Sequence, residues 1–480
     1  MKYNVFDLIL RNLDKNKDFI IDDDQVSYNQ IKNSIRYYDN FFKSKNLKNN
    51  HCISIKINFS VDYISIILCC YINNYKVLIL NPKSKFNDDI YKIKDSGAKL
   101  LISEYAINNS KKLNERLYLK DYTHKKYPIL KKEDLFIIYT SGTTKKPKGV
   151  ALSVNNISNN IESIINDLKL NKSSSTIIFS NPSYAMGLSQ ILTFIRLGAP
   201  FIISRYGLLF PKKILETIEK FKIRLININS SMAKILILND KKRIPFNFVR
   251  IVMHGGMPLD KTVYKYFKIK FPRAKIINFY GCTENSPRIS HFELKKYSNN
   301  NCVGRPMKGI KIKIFNEIKL ENGNVKGELA ISGPSLTRGY LNQEQLNKIK
   351  FQNNFFLTGD LVEINKNFEI NLIGRVDNMF RVGHEKLEPE EIENEINKIN
   401  GVEESFVSKI SDKILNWVPV YFIKRNDRNL TKKKIYNLLE KSLDNYKLPK
   451  NIYFVRKLFK TQYGKLDRIK IEKKYSKKNI

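Results

Sequence analysis

The sequence has few of the residues on which disulfide-bonded, zinc-binding and membrane-spanning proteins depend. Its five cysteines are odd in number and lack CxxC spacing, so reduced thiols are expected. Five scattered histidines show no metal-ligand spacing. The longest apolar stretch, residues 63–72, is too short to cross a bilayer. Residues 1–18 lack the apolar core of a signal peptide, so we expect a cytoplasmic protein without an integral membrane segment.

Acidic residues are also scarce relative to basic ones. The chain has 85 Lys and Arg against 46 Asp and Glu, a formal net charge of +39. Such a charge is typical of proteins that bind nucleic acids or anionic membranes. Here, however, Lys, Asn and Ile are over-used together along the whole chain, and all three have A/T-rich codons. No basic arm, zinc finger or aromatic RNP pattern accompanies the charge, so codon bias explains it and no specific nucleic-acid partner is expected.

The 480 residues that are present suffice for two or more domains. Residues 248–279 predict a strand, a helix and a second strand (248–253, 259–268 and 275–279), which is a βαβ unit. A similar unit is predicted over residues 200–228. Because parallel strands end at one edge of their sheet, the Gly255-Gly256 turn and the YGCTE loop should face one crevice.

Short strands and turns dominate from about residue 300, and a compact α+β segment follows Gly374. Within it, Pro389 and a cluster of acids open a helix whose apolar face carries Ile392, Ile396 and Ile399. We therefore place a domain boundary between residues 374 and 377. The predicted domains are a large one at 1–374 and a small one at 378–480.

Residues 139–150, YTSGTTKKPKGV, concentrate small hydroxyls, glycines and lysines, a composition that suits a phosphate chain. A Walker A loop is excluded, because six residues separate Gly142 from Gly149 and Lys148 precedes the second glycine. The flanking patterns predict a strand–loop–strand hairpin, whose backbone N–H groups, hydroxyls and ammonium can bind phosphates. The predicted phosphate-binding residues are Thr140, Ser141, Gly142, Thr143, Thr144 and Lys148.

Five further segments follow this loop in order: NFYGCTE (278–284), GELAISGPSLTRGY (327–340), FLTGDL (356–361), GRVDNMFRVGHEKLEPEEIE (374–393) and TQYGKLDR (461–468). Together the six motifs resemble the signatures of the adenylate-forming superfamily of acyl-CoA synthetases, adenylation enzymes and firefly-type luciferases. The resemblance covers nearly the whole chain. It implies an α/β fold: a large N-terminal domain with doubly wound sheets and a small β-barrel-like part, plus a small mobile α+β C-terminal domain.

The same resemblance implies ATP and Mg²⁺ as cofactors and assigns residues to them. Glu284 is expected to bind Mg²⁺, whose other ligands would be ATP phosphates and water. Thr283 is expected to hydrogen-bond the α-phosphate. The other expected nucleotide contacts are Asn278 and Tyr280 at adenine, Gly281 in the same loop, Asp360 and Arg375 at the ribose, and Gly255 and Gly256 at a close backbone approach.

Lys465, in the last motif, resembles the family's catalytic lysine. A fixed ammonium stabilises the charge that develops when a carboxylate attacks the α-phosphorus of ATP. Asp377 resembles the hinge about which the small domain alternates between two poses, one for each half-reaction. His384 stands where many members have glycine, which puts the second half-reaction in doubt.

The acid substrate and the acceptor are less well determined. Members that activate α-amino acids usually carry an aspartate in the segment matching residues 181–190, and none is present here, so a small carboxylic acid without an α-ammonium is expected. Arg288 is expected to border the acyl site. The apolar Met186, Leu188 and Ile191 suit either an acyl group or the core.

Three hypotheses remain open at this point. The first is a ligase that forms an acyl-AMP and then a thioester on coenzyme A or on the phosphopantetheine of an acyl carrier protein acting in trans. The second is an enzyme that only adenylates an amino acid or another acid and uses a different acceptor. The third is a non-catalytic nucleotide-binding protein, against which the joint presence of Glu284, Asp360 and Lys465 argues.

Overall fold

A computed structural model gives the fold of the chain. It describes residues 4–13, 19–21, 24–84, 86–123, 130–140, 147–203, 210–241, 243–256, 259, 261–297, 301–382, 385–412, 415–461 and 466–475. These residues form two compact units. The large unit comprises Met1–Lys313 and Ala330–Thr358, and the small unit comprises Ile314–Leu329 and Gly359–Ile480.

The helices alternate with strands through most of the chain, as expected for an α/β fold. They are α1 (Val5–Asn12), α2 (Tyr28–Ser44), α3 (Val61–Ile72), α4 (Phe86–Ser96), α5 (Val154–Asp167), α6 (Ala185–Leu197), α7 (Pro211–Lys220), α8 (Ser230–Asn239), α9 (Lys261–Lys270), α10 (Glu344–Lys350), α11 (Pro389–Lys398), α12 (Lys432–Leu439) and α13 (Arg468–Tyr475). None of these described helices is both long and apolar enough to cross a membrane.

Most strands are short and buried. They are β1 (Phe19–Ile21), β2 (Asp24–Val26), β3 (Cys52–Lys56), β4 (Lys76–Ile79), β5 (Ala98–Ser103), β6 (Lys111–Lys112), β7 (Tyr118–Asp121), β8 (Asp134–Thr140), β9 (Lys148–Ser153), β10 (Thr176–Ile178), β11 (Phe201–Ile203), β12 (Leu225–Asn227), β13 (Ile251–Gly255), β14 (Lys275–Gly281), β15 (Arg288–Glu293), β16 (Cys302–Pro306), β17 (Lys311–Lys319), β18 (Val325–Ser332), β19 (Phe351–Gln352), β20 (Phe355–Ile364), β21 (Ile370–Arg375), β22 (Phe380–Val382), β23 (Glu385–Leu387), β24 (Val402–Asp412), β25 (Asn416–Arg425) and β26 (Asn451–Phe454).

Local sequence signals set several helix starts. Ser153 caps α5 and forms a capping box with Asn156, in which each side chain accepts from the other residue's backbone N–H. Thr431 caps α12 by accepting from the backbone N–H of Lys434. Pro389 occupies the first turn of α11, where its missing N–H costs nothing. The helix α11 begins at Pro389, as the sequence predicts.

The large unit contains two sheets built mainly from parallel strands. One has the order β6-β7-β5-β3-β4-β8-β9, with β5, β3, β4 and β8 parallel. The other runs β16-β15-β14-β13-β12-β10-β11-β1-β2, and its six strands from β14 to β1 are parallel. The described strands pair as open sheets, so the predicted barrel-like part is not a closed barrel in the part of the chain that the structure describes.

The second sheet places the candidate site. Strands β12, β13 and β14 are neighbours in parallel register, with Asn227 opposite Met253 and Gly255 opposite Phe279. Their carboxyl ends therefore share one edge of the sheet, which is where open α/β sheets bind ligands. Behind them α7, α8 and α9 bury apolar side chains, including Ile218, Ala233 and Phe267. The predicted βαβ unit of residues 248–279 is confirmed, although each element begins or ends two or three residues later than predicted.

The small unit is α+β, as predicted. Strands β24, β25 and β26 form a sheet on which α11 and α12 pack through Ile392, Ile396, Ile435 and Leu439. Strands β22 and β23 form an antiparallel hairpin in which Val382 is opposite Glu385. Residues 359–374 belong to this unit. The hinge at Asp377 stays a prediction.

Candidate active site

The phosphate-loop prediction holds for the strands that flank the loop. Strands β8 and β9 pair in antiparallel fashion, with Thr140 directly opposite Lys148. This is the predicted strand–loop–strand arrangement. The predicted contacts Ser141, Gly142, Thr143 and Thr144 lie outside the described residues, so of this loop the structure places only Thr140 and Lys148.

A tyrosine links Lys148 to the predicted metal ligand. The Lys148 Nζ lies over the Tyr340 ring, 5.5 Å from its centroid. The Tyr340 hydroxyl donates a hydrogen bond of 2.7 Å to Oε1 of Glu284, which is only 8% exposed. Backbone bonds hold this arrangement, because Leu341 N donates to the Gly149 carbonyl and Thr337 N donates to the Glu284 carbonyl. A cation, an aromatic ring and a buried carboxylate thus lie in a row.

Thr283 and Glu284 lie in a 3₁₀ turn, Thr283–Asn285, that follows β14 directly. Gly281 closes that strand at a point where the chain folds tightly on itself. A Cβ at Gly281 would lie 2.0 Å from the Pro287 carbonyl oxygen, so no other residue fits. The turn therefore presents Thr283 and Glu284 at the carboxyl edge of the sheet, as the sequence predicts.

The predicted adenine contacts belong to a buried polar network. The Asn278 Nδ2 donates to the Cys302 carbonyl at 2.8 Å, and its Oδ1 lies 3.2 Å from Nδ1 of His254. Nε2 of that histidine lies 2.9 Å from the Ser230 hydroxyl. Burial lowers the pKa of His254 to about 4, so the imidazole is neutral at physiological pH. Asn278 is thus held in one orientation, and Tyr280 beside it is also buried.

The two glycines of the Gly255-Gly256 pair are required for different reasons. Gly255 is required by a close approach of a neighbouring side chain, and Gly256 by its backbone conformation. A Cβ at Gly255 would lie 2.6 Å from the ring of Phe279 on the neighbouring strand. Gly256 has a φ of +79°, which side-chain-bearing residues rarely adopt, and the space beside it is open. These two residues therefore allow β13 to turn tightly beside β14.

The predicted ribose contacts face each other within the small unit. Asp360 and Arg375 are directly opposite on β20 and β21, and Nη1 of Arg375 donates to Oδ1 of Asp360 at 2.8 Å. Nη2 of the same arginine lies 3.2 Å from Oδ2 of Asp377, the predicted hinge. The pairing orients the Asp360 carboxylate.

Lys465 and His384 lie outside the described residues, but the chain around Lys465 is anchored. Lys460 bridges Leu466, and Asp467 N donates to the Phe459 carbonyl. After them, Nη2 of Arg468 lies 2.6 Å from Glu393 and 3.0 Å from Glu390, both on α11. The final motif is therefore tied to the core of the small unit on both sides of Lys465.

The residues expected at the acyl end separate into two groups. Leu188 and Ile191 are buried against Ile9, Ile64 and Ile67 between helices, so they belong to the core. Met186 instead faces the sheet edge, with its Sδ 3.9 Å from Nη2 of Arg288 and 3.8 Å from Nδ2 of Asn227. Arg288 itself is only 4% exposed, and its guanidinium lies 4.0 Å from the Phe279 ring centroid.

Residues 11–341 match the AMP-binding enzyme family, and residues 391–465 match the AMP-binding enzyme C-terminal domain. The chain belongs to the AMP-binding enzyme family. The resemblance stated from the six motifs is confirmed, together with the α/β fold of a large and a smaller domain.

Curated relatives of this AMP-binding enzyme fall into two kinds. It is 27% identical over 462 residues to a 2-succinylbenzoate–CoA ligase of Oceanobacillus iheyensis, covering 93% of this chain and 94% of the relative. It is also 27% identical over 474 residues to bacitracin synthase 3 of Bacillus licheniformis, covering 94% of this chain but 7% of that protein.

A solved structure supports the fold. The O-succinylbenzoate coenzyme A synthetase of Bacillus subtilis, in complex with ATP and magnesium ion, superposes with a TM-score of 0.79 at 20% identity, covering 97% of this chain and 99% of that one.

The site residues of this AMP-binding enzyme fit ATP and Mg²⁺. The part of the chain that the structure describes contains no cluster of three or more His, Cys, Asp or Glu residues able to hold a metal alone. A lone buried carboxylate such as Glu284 suits Mg²⁺, which completes its octahedral shell with phosphate oxygens and water. Lys148 supplies positive charge for the same phosphates.

Tyr340 was not predicted from the sequence as a site residue. It lies at the end of the GELAISGPSLTRGY motif, so a signal was present, but a tyrosine in a motif does not show what its hydroxyl binds. Its link to Glu284 depends on a contact between residues 56 positions apart. Only the packing of the 337–341 segment against β9 brings the two together.

Proposed function

We propose that this AMP-binding enzyme activates a carboxylic acid with ATP, giving an acyl adenylate and pyrophosphate, and then transfers the acyl group to the thiol of coenzyme A. The observation that carries the proposal is the row formed by Lys148, Tyr340 and Glu284 at the carboxyl edge of the sheet. A cation and a buried carboxylate in this arrangement support the binding of a metal-bound triphosphate.

The general class of the reaction agrees with the comparisons. The predicted class, an AMP-forming acid–thiol ligase dependent on ATP, is borne out by the family and by relatives named CoA ligases, of which the match covers 94% and 70%. The assignment of individual residues to steps is the proposal.

In the first half-reaction a carboxylate oxygen of the acid attacks the α-phosphorus of ATP. The bond between that phosphorus and its bridging oxygen breaks, and pyrophosphate leaves with the electron pair. Lys148 and Thr140 hold the phosphates, Thr283 hydrogen-bonds the α-phosphate, and Lys465 stabilises the charge that develops. Mg²⁺, when bound at Glu284, neutralises phosphate charge and orients the pyrophosphate leaving group.

In the second half-reaction the thiol, as its thiolate, attacks the carbonyl carbon of the adenylate. The carbon–oxygen bond to AMP breaks, AMP leaves as the phosphate anion, and a thioester remains. We propose coenzyme A as the acceptor, because one CoA-ligase relative matches over 93% of this chain and 94% of its own length, whereas the bacitracin synthase match covers 7% of a much larger protein. Transfer to the phosphopantetheine of a carrier protein is the competing outcome.

The acid should lack an α-ammonium. The segment 181–190 contains no aspartate that could pair with one. The cation of Arg288 lies beside Met186 of the same segment, so an ammonium there would be repelled. Aromatic and aliphatic acids, among them 2-succinylbenzoate, are the substrates to test first.

The experiment has two stages. ATP–pyrophosphate exchange is measured with α-amino acids, aromatic acids, aliphatic acids and 2-succinylbenzoate. The acid that supports exchange is then incubated with ATP and either coenzyme A or a phosphopantetheinylated carrier protein, and thioesters are detected by mass spectrometry. Exchange that depends on a non-amino acid, followed by a CoA thioester, is expected. Exchange only with α-amino acids, or no exchange with any acid, would contradict the proposal.

A further inference from the structure

Arg288 is a buried cation whose hydrogen-bonding groups are not all used. Its side chain lies almost wholly out of solvent, yet none of the described residues accepts a hydrogen bond from Nε or Nη1. Nη2 contacts only the weakly accepting thioether of Met186. Buried polar groups in native proteins are satisfied with few exceptions, so these two N–H groups need an explanation.

The backbone of Arg288 is rigidly placed, which makes an accidental orientation a poor explanation. The buried side chain of Asn160 binds it on both sides: its Oδ1 accepts from Arg288 N at 3.2 Å, and its Nδ2 donates to the Arg288 carbonyl at 2.8 Å. The residue therefore begins β15 in a fixed position. Its guanidinium packs on the Phe279 ring. That ring lies so close to Gly255 that a Cβ there would clash with it.

The surroundings of the guanidinium belong to the ligand edge of the sheet. Phe279 lies near the carboxyl end of β14, Asn227 ends β12, and Met186 lies in the first turn of α6. The short contacts from Arg288 to Met186 and from Met186 to Asn227 join β15, α6 and β12, and the contact of the guanidinium with Phe279 adds β14. The cation therefore lies at the acyl end of the site and not in the core behind the sheet.

Burial of the Arg288 charge costs free energy. Burial lowers the pKa of Arg288 to about 9, so the guanidinium is still charged at neutral pH. Burial and the nearby charge of Arg288 both lower the pKa of His291, so that imidazole stays neutral and adds no second positive charge. Among the described residues no carboxylate forms an ion pair with Arg288, and the Phe279 ring compensates it only in part.

We propose that Arg288 binds a second carboxylate of the acid substrate, so that the enzyme activates dicarboxylic acids and adenylates the carboxylate distal to Arg288. This inference rests on the proposed function and names the substrate class of the same site. The incoming carboxylate accepts from Nη2 and from one of the two unpartnered nitrogens, and it displaces the thioether of Met186, whose unbranched side chain moves readily. The fixed place of Arg288 makes the spacing of the two carboxylates the main determinant of selectivity.

The test compares acids that differ in one group. ATP–pyrophosphate exchange is measured with straight-chain dicarboxylic acids and 2-succinylbenzoate, each beside the analogue in which the non-reacting carboxylate is a primary amide. The variant is Arg288→Met, which keeps an apolar chain on Phe279. The control is Arg250→Met, which makes the same charge change at an exposed arginine whose guanidinium contacts only the nearby Asn247 carbonyl.

We expect wild type to prefer one dicarboxylic acid over its amide by about thirtyfold or more in kcat/KM, the effect of losing one partner of a buried charge pair. Arg288→Met should abolish that preference, and Arg250→Met should keep it. The ligand-free melting temperature of Arg288→Met should equal or exceed that of wild type, because an uncompensated buried charge has been removed.

Four results would overturn the inference. Equal use of each diacid and its amide by wild type would show that the second carboxylate is not bound. An equal loss on both acids in Arg288→Met, with a lower melting temperature, would show that Arg288 only supports the fold. Exchange with monocarboxylic acids alone would leave the proposed function standing and reject this inference, whereas exchange with no acid would reject both.

Discussion

Tyr340 connects two parts of the phosphate site through one side chain. Its hydroxyl fixes an oxygen of Glu284, and its ring lies beneath the ammonium of Lys148. The residue itself is set by backbone pairing with Val150 and by Asn347, whose Oδ1 accepts from its N–H. At the residue scale, therefore, we propose Tyr340 as a positioning residue that couples the predicted metal ligand to the phosphate loop.

Tyr340→Phe separates the two roles of the side chain. The ring under Lys148 remains and the hydrogen bond to Glu284 is lost, which should slow adenylation roughly tenfold, because a hydrogen bond to a charged group contributes about 1.5 kcal/mol or more. The loss should shrink at high Mg²⁺ concentration. Pyrophosphate exchange across a Mg²⁺ titration measures both effects, with Tyr264→Phe as the control because its hydroxyl binds the distant Lys295 carbonyl. Unchanged exchange at every Mg²⁺ concentration would rule out the role.

Lys465 carries the prediction drawn from the final motif. Lys465→Ala should lower acyl-AMP formation by roughly two to three orders of magnitude, since the transition state loses about 3–4 kcal/mol of electrostatic stabilisation. Thioester formation from added acyl-AMP should persist, because the ammonium serves the first half-reaction. Lys470→Ala, at an exposed position on α13, should behave like wild type in both assays. If adenylation survives the Lys465 substitution, the catalytic role belongs to another residue.

At the element scale, a hydrogen-bonded chain ties four elements together behind the nucleotide site. It runs from Ser230 on α8 through His254 on β13 and Asn278 on β14 to the Cys302 carbonyl on β16. These hydrogen bonds require a neutral His254, because burial disfavours the imidazolium. The stability of this part of the large unit therefore depends on pH.

The direction of that dependence follows from proton binding. His254 titrates near 6.5 when unfolded and near 4 when folded, so between these values the unfolded chain binds more protons. Neutral His254 therefore makes its full contribution to the free energy of unfolding above pH 6.5. That contribution, about 3 kcal/mol in total, is lost as the pH falls toward 4. Urea unfolding of wild type and His254→Gln at pH 7 and near pH 4.5 should show wild type losing more stability on acidification. Equal losses in the two proteins would contradict a neutral buried His254.

The elements themselves were largely predictable, and their ends were not. Apolar periodicity located the βαβ unit of residues 248–279, but β13 begins at Ile251 because Phe248 packs beside the strand rather than in it. The cap residues Ser153 and Thr431 set the starts of α5 and α12 through local hydrogen bonds. The sequence could not tell that Leu188 and Ile191 face the core whereas Met186 faces the sheet edge. Only the packing of α6 against α1 and α3 shows which side of the helix faces the core.

At the scale of the whole molecule, the net charge of +39 attracts any polyanion. We predict that nucleic-acid binding is weak, without sequence preference and steeply reduced by salt, because the lysines are spread over the chain and form no recognition motif. Filter binding with unrelated DNA and RNA sequences at low and physiological salt tests this. Tight, sequence-selective binding at physiological salt would contradict the codon-bias explanation.

The central claim is that the acid is activated as an adenylate before it reaches the thiol. Its most direct test uses the preferred acid labelled with heavy oxygen in its reacting carboxylate, incubated with ATP, Mg²⁺ and coenzyme A. The carboxylate oxygen that attacks the α-phosphorus leaves with AMP when the thioester forms, so mass spectrometry should find one labelled oxygen in AMP and none in pyrophosphate. Label in pyrophosphate or phosphate, or an AMP free of label despite thioester formation, would show that the acid is activated in another way.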